Sequence, residues 1–208
     1  MIISSRNQST VMLADWKGNI KWMLCDPTDY YEYYRQYILT PVGADFEYCY
    51  TQHALEILPD QDGGPDTLDI LLFDNGDYRK SLKERASRLV QYRINEREMT
   101  VEQVWGWGGD RPLLYSYRHG DGDLLPNGNR LGSFEHLDNA TGTRTAYGVE
   151  VAEDGRAVWE VWRMSAEGTN EYSEYRLERQ AIYADGANDL HLGERAKLFL
   201  PESEEGEP

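Results

Sequence analysis

Apolar and polar positions alternate in short bursts along most of the chain. Ile2-Ile3-Ser4-Ser5, Thr10-Val11-Met12-Leu13 and Ile20-Lys21-Trp22-Met23-Leu24 have the length and side-chain mix of strands. Lys17-Gly18-Asn19 between the last two predicts a hairpin. Residues 26–40 carry aromatics without a clean period and read as a short helix or a long aromatic connector, with Asp26 or Thr28 as its cap. Residues 47–58 predict a strand pair around His53, and residues 60–66 a turn. Leu68–Phe73 predicts a buried strand ending at Asp74-Asn75-Gly76-Asp77. After a charged loop at 78–86, Ser87–Ile94 and Thr100–Trp105 predict two strands joined by a turn at 95–99. Strands around Pro126-Asn127-Gly128-Asn129 follow, then Thr145–Val151, Ala157–Trp162 and a last strand over 175–183.

Three segments share one grammar of strand, polar turn and strand ending in tryptophan: Asp15–Trp22, Ile94–Trp105 and Glu153–Trp159. Short strands repeating at roughly 40–50 residues predict β-propeller blades, with an ordinary β-sandwich as the alternative. The expected fold is therefore all-β, a partial propeller of about three blades over residues 1–183, followed by an acidic, disordered tail at 184–208. Three blades leave unpaired strand edges at both ends, so the chain looks like the back half of a larger ring.

Composition narrows the picture. The chain has 208 residues, enough for one sizeable core or two small ones. Its 15 Tyr and 6 Trp against 4 Phe suit packed strand faces better than a helical bundle. A net charge of −16, from 21 basic and 37 acidic residues, argues against a nucleic-acid partner. No apolar run is long enough to span a membrane as a helix, and Met1–Arg6 does not read as a signal peptide. Two cysteines, Cys25 and Cys49, could pair but are too few to define a redox compartment, and they are expected buried or unpaired. Zinc spacings are absent, and residues 60–66 superficially match a calcium loop but lack its closing glutamate.

Candidate chemistry gathers at Thr51-Gln52-His53. His53 sits at the mouth of a strand beside a hydroxyl and an amide, suited to act as a nitrogen nucleophile or base, or else as a satisfied structural histidine. Asp74 and Asn75 read either as a catalytic carboxylate and amide or, more simply, as a blade turn whose side chains bond local backbone. A glycosidase-like β protein would need paired carboxylates across an aromatic cleft, and no pair stands out.

Several segments together resemble the C-terminal half of the bacterial aryl-sulfate sulfotransferases that work without PAPS. They are Ser4-Ser5-Arg6-Asn7-Gln8-Ser9, Thr51-Gln52-His53, Phe73-Asp74-Asn75-Gly76-Asp77, Ser87–Tyr92, Met99–Trp105 and Leu125-Pro126-Asn127-Gly128-Asn129. The resemblance implies a six-bladed propeller and transfer of a sulfuryl group from a phenolic sulfate ester to a phenol, with no cofactor and no metal. It implies that His53 attacks sulfur to form a sulfohistidine and that Arg6 binds sulfate oxygens. His119 falls near the part of the family sequence that lines the channel and is a substrate-binding candidate, while His136 and His191 read as surface residues. The family usually has histidine where this chain has Asn7, and its early histidine and His-x-Asn motif lie upstream of Met1. The isolated chain is therefore expected to be inactive or nearly so. A truncated or incomplete enzyme, closed by self-association or by a companion chain, is one reading; a non-catalytic binding or scaffold protein is the other. Family members are typically periplasmic or exported, which leaves the compartment of this chain open.

Overall fold

The computed structural model describes residues 1–59, 62–79, 85–138, 144–164 and 175–179. Among these residues, twelve strands fall into three sheets in chain order. The first contains β1 (Ile2–Ser5), β2 (Thr10–Ala14) and β3 (Ile20–Leu24). The second contains β4 (Thr40–Val42), β5 (His53–Ile57), β6 (Thr67–Asp74), β7 (Arg88–Asn95) and β8 (Thr100–Trp107), ordered β4-β8-β7-β6-β5. The third is a meander of β9 (Asp121–Leu124), β10 (Arg130–Asp138), β11 (Arg144–Val151) and β12 (Ala157–Met164). The chain is thus all-β, with three sheets none of which closes on itself, as in a partial propeller-like fold.

Two apolar layers separate the sheets. Val11, Trp22 and Leu24 of the first sheet pack with Ile70, Leu72, Val90, Tyr92 and Ile94 of the second. Phe73, Leu89 and Trp107 of the second pack with Phe134, Tyr147 and Val149 of the third. The middle sheet is therefore covered on both faces. That is why Ile70-Leu71-Leu72-Phe73 is a continuous apolar run where a half-exposed strand would alternate.

The three predicted hairpins are the β2–β3, β7–β8 and β11–β12 connections, each between the last two strands of its sheet. The aromatic connector resolves into two 3-10 turns, Pro27–Asp29 and Glu32–Tyr37, and Asp26 caps the first by accepting from the Thr28 N–H at 2.8 Å. It ends in β4, which runs parallel to β8. The predicted strand pair at 47–58 is only one strand: residues 47–52 form no ladder, because their polar groups turn inward to the site described below. Tyr175–Arg179 belongs to no strand either, in contrast to the expected last strand. Both cysteines are buried and free, and burial pushes the Cys25 thiol up to about 12. In the 62–67 turn the Asp62 carboxylate is satisfied by the Gly64 N–H and the Thr67 hydroxyl.

Contacts divide the chain into a unit of residues 1–178, which holds all three sheets, and a unit of 179–208. The acidic tail at 184–208, His191 and the His136 side chain lie outside the described residues.

Candidate functional site

Four loops meet at one end of the sheets: Arg6–Gln8 after β1, Thr51–His53 before β5, Asn75–Asp77 after β6 and Tyr115–His119 before β9. Side chains buried between them set their positions. Gln52, 1% exposed, donates through Nε2 to Ser4 Oγ (3.1 Å) and to the Thr10 carbonyl (3.0 Å), tying the β5 entry to the first sheet. The Thr51 N–H donates to Ser9 Oγ (3.1 Å). Thr51 and Ala54 adopt φ of 56° and 49°, a rare conformation for residues with a Cβ, and the β5–β6 register slips between His53 and Glu56. This bulge re-aims the histidine at the strand mouth.

His53 is half-buried, and its Nδ1 lies 2.7 Å from Asn75 Oδ1. Asn75 is fully buried, and its Nδ2 donates to the Ser116 and His119 carbonyls, both at 2.8 Å. Those carbonyls only accept, so the amide has one tolerable orientation and its oxygen faces the histidine. An amide oxygen also only accepts, so His53 Nδ1 carries the hydrogen. The neutral ring then holds its lone pair on Nε2. Burial lowers the His53 pKa, and the nearby charges of Arg6 and His119 act in the same direction, against the hydrogen bonds from Asn75 and the Thr51 backbone. Near neutral pH the ring is therefore a neutral base or nucleophile.

The His119 ring lies edge-on to that of His53, with centroids 6.4 Å apart. Burial also lowers its pKa, with Arg118 and Arg6 adding to the effect. Its approach depends on Gly120, whose φ is 102° and where a Cβ would come 2.3 Å from the Phe73 ring. The Tyr175 ring also packs against His119, with centroids 5.1 Å apart.

Arg6 is 37% exposed at its side chain. Its Nη2 donates to the Tyr117 carbonyl (2.8 Å) and sits 3.4 Å from Asp77 Oδ2; its Nη1 donates to Asn7 Oδ1 (3.1 Å). Asp77 also accepts from the Tyr115 hydroxyl. Behind this open pair lies a closed one. Asp74, fully buried, accepts from the Tyr50 N–H (2.9 Å) and the Gly76 N–H (3.1 Å), and pairs with Arg79 and Arg88. Both arginines also reach Glu47.

The structure thus brings Arg6, His53 and His119 into one cluster. It also assigns Asp74 and Asn75 different parts. Asp74 does bond local backbone, as a turn residue would. Asn75 reaches out of the turn to His53, a contact that sequence reasoning missed. Its only trace in the sequence is the pairing of β5 with β6, which places the residue two beyond Phe73 next to His53. Among the described residues no group of three or more His, Cys, Asp or Glu side chains is placed to hold a metal ion, and no helix is long and apolar enough to cross a membrane.

Residues 1–177 match the arylsulfotransferase (ASST) family. The arylsulfate sulfotransferase AssT of Escherichia coli O6:H1 is 34% identical over 133 residues, covering 53% of this chain and 21% of that protein. Its namesake from Lelliottia amnigena is 29% identical over 134 residues, with the same two shares. The aligned part spans about a fifth of the length of these relatives. With a family match over nearly all of the three-sheet unit, the chain belongs to the arylsulfotransferase family.

Proposed function

We propose that the chain carries the nucleophile of an aryl-sulfate sulfotransferase site, which moves a sulfuryl group from a phenolic sulfate ester to a phenol through His53. The observation that carries this reading is the neutral His53, oriented by Asn75 and adjoining both Arg6 and His119. In the first half-reaction the Nε2 lone pair attacks sulfur, the N–S bond forms and the S–O bond to the ring breaks. The phenolate leaves with that electron pair. A phenol of ordinary pKa about 10 is a tolerable leaving group when a cation or a proton assists it. Arg6 supplies the cation: a guanidinium with fixed donors suits the charge spread over sulfuryl oxygens better than a point charge does. Held by Tyr117 and Asp77, it needs little reorganisation when that charge develops. In this reading His119, beside His53, hydrogen-bonds the leaving or entering phenol oxygen. In the second half-reaction a new phenol gives up its proton to the neutral His119 ring, which passes it to solvent, while the phenol oxygen attacks sulfur and the N–S bond breaks, returning the pair to Nε2. The kinetics are ping-pong.

A second reading, a binding protein without chemistry, is favoured by Asn7. It stands where the family usually has histidine, and its side chain occupies Arg6 Nη1 instead of serving a substrate. One experiment separates the two readings. The purified chain is incubated with 4-nitrophenyl sulfate, nitrophenolate release is followed, and the protein is mapped by mass spectrometry. The expected result is one added sulfuryl group on His53, absent in His53→Ala, with slow turnover. A folded chain that binds the ester in an Arg6-dependent way yet never acquires the adduct sinks the transfer reading.

A further inference from the structure

Asp77 faces the candidate site with a charge that its surroundings only partly satisfy. Its Oδ1 accepts from the Tyr115 hydroxyl, while its Oδ2 lies 3.3 Å from Thr51 Oγ1 and 3.4 Å from Arg6 Nη2. Both Oδ2 distances exceed those of ordinary charge-assisted hydrogen bonds, about 2.7–2.9 Å. Thr51 has one hydroxyl hydrogen, and the Tyr50 carbonyl at 2.7 Å is better placed to take it. Among the described contacts, Oδ2 therefore keeps little more than a long approach to a guanidinium.

Arg6 draws its position chiefly from other partners. Its Nη2 donates to the Tyr117 carbonyl at 2.8 Å and its Nη1 to Asn7 Oδ1 at 3.1 Å. A neutral amide in place of Asp77 leaves both bonds intact and can still accept from Tyr115. What the carboxylate adds is negative charge, on a side chain that is mostly buried and so weakly screened. The other charges at this end sit further into water. Arg85 is exposed, with Nη1 3.2 Å from the Tyr115 hydroxyl, and Arg118 is exposed over the Tyr117 ring. His53 and His119 are both shifted toward the neutral form.

An aryl sulfate ester carries one negative charge. An aryl phosphate of the same tetrahedral shape carries close to two at neutral pH. Hydrogen-bond geometry hardly tells them apart, since a guanidinium fork matches either set of oxygens. Charge does. A cation beside an unmatched carboxylate presents less than one net positive charge, enough for a monoanion and short of what a dianion needs.

We propose that Asp77 is a specificity residue acting through Arg6: its carboxylate lets the site hold a singly charged sulfuryl group and turns away a doubly charged phosphoryl group of the same shape. The inference rests on the reading that Arg6 takes the sulfuryl oxygens, and does not depend on transfer to His53. Coulomb energy scales with the product of the charges. Removing the Asp77 charge therefore relieves a dianion twice as much as a monoanion, and the gain in affinity for the dianion is the square of that for the monoanion.

Titration calorimetry of the full chain with benzenesulfonate and phenylphosphonate tests this. The two ligands share a shape and have no ester bond to transfer. At about pH 9, above the range where a phosphoryl group loses its second proton, they differ by one charge. Wild type is expected to bind the sulfonate more tightly. Asp77→Asn should bind the sulfonate about threefold and the phosphonate about tenfold more tightly, cutting the discrimination about threefold. Asp77→Ser removes the same charge with a different side chain and should do likewise. The monomethyl ester of phenylphosphonate is singly charged and should follow the sulfonate in every variant. Tyr115→Phe keeps the Asp77 charge and should leave the ratio as in wild type. A ratio unmoved by both Asp77 substitutions overturns the proposal, even where His53 is labelled. An equal shift in Tyr115→Phe also overturns it, by making geometry the cause. Wild type that binds neither ligand, or binds the sulfonate no better than Arg6→Ala does, overturns the Arg6 reading and this inference with it.

Discussion

Two arginine–aspartate constellations lie three residues apart in sequence and behave differently. Asp74 is fully buried, and its partners Arg79 and Arg88 are 2% and 5% exposed at their side chains. Asp77 and Arg6 are 14% and 37% exposed, and they meet at 3.4 Å. In the dry set the carboxylate oxygens are taken up by backbone N–H groups and guanidinium donors, which offsets the cost of burying the charge. That set fixes the turn. In the wet set the arginine is steadied by a carbonyl and a loose ion pair, within reach of solvent and of a substrate. The same residue types give scaffold where water is excluded and a candidate site where it is not.

Substitutions can break that contrast. The largest effect is expected for Asp74→Ala, which leaves two buried guanidinium groups with the half-exposed Glu47 as their shared carboxylate. It should cost about 3–5 kcal/mol, read as a shift in the urea midpoint. A loss below about 1 kcal/mol would mean that the two sets are energetically alike. Arg6→Ala should do the reverse, changing stability by less than about 1 kcal/mol while slowing sulfuryl labelling of His53 about 10²–10³-fold. Arg6→Lys should recover only part of that rate, because it lacks the fork of donors.

Smaller effects sharpen the link between turn and site. Gly120→Ala places a Cβ against Phe73 at a φ that L-residues avoid. It should cost about 1–3 kcal/mol and slow labelling by displacing His119. Asn75→Asp puts a carboxylate against His53 Nδ1, which favours the imidazolium and raises the His53 pKa. At any pH below the new pKa the neutral fraction of the ring falls about tenfold per pH step of one. Labelling near neutral pH should then drop in this variant and recover on raising the pH. A profile unchanged by the substitution would remove Asn75 from the role of setting the tautomer. NMR of the wild-type ring, with the proton expected on Nδ1, checks the same point without a variant. The smallest effect is in the wild-type pH profile. The His53 pKa is lowered from 6.5 and only the neutral ring attacks. Labelling should therefore lose less than half its rate at pH 6.5 and reach its half-point below it, whereas an unperturbed histidine would be at half its rate there.

Much of the fold is legible in the chain itself. Strands β1 to β3 and β6 to β12 fall where alternation, apolar runs and turn residues place them, because those signals are local. The three tryptophan hairpins are legible too, since a polar turn between apolar strands is a local signal. Residues 47–52 read as a strand yet form none. Their apolar and polar order mimics one, while Gln52 and Thr51 spend their hydrogen bonds on the first sheet.

By itself, then, the sequence determined the all-β class, the candidacy of His53 and Arg6, and the resemblance that the family match bears out. Tertiary structure alone decided which nitrogen of His53 bears the proton, because that depends on two carbonyls more than forty residues away that orient Asn75. It also decided that Asp74 and Asn75, neighbours in the chain, serve different ends, and that Trp22 is buried while Trp159 is half-exposed. Local pattern specifies an element, whereas burial and hydrogen-bond satisfaction depend on what packs against it.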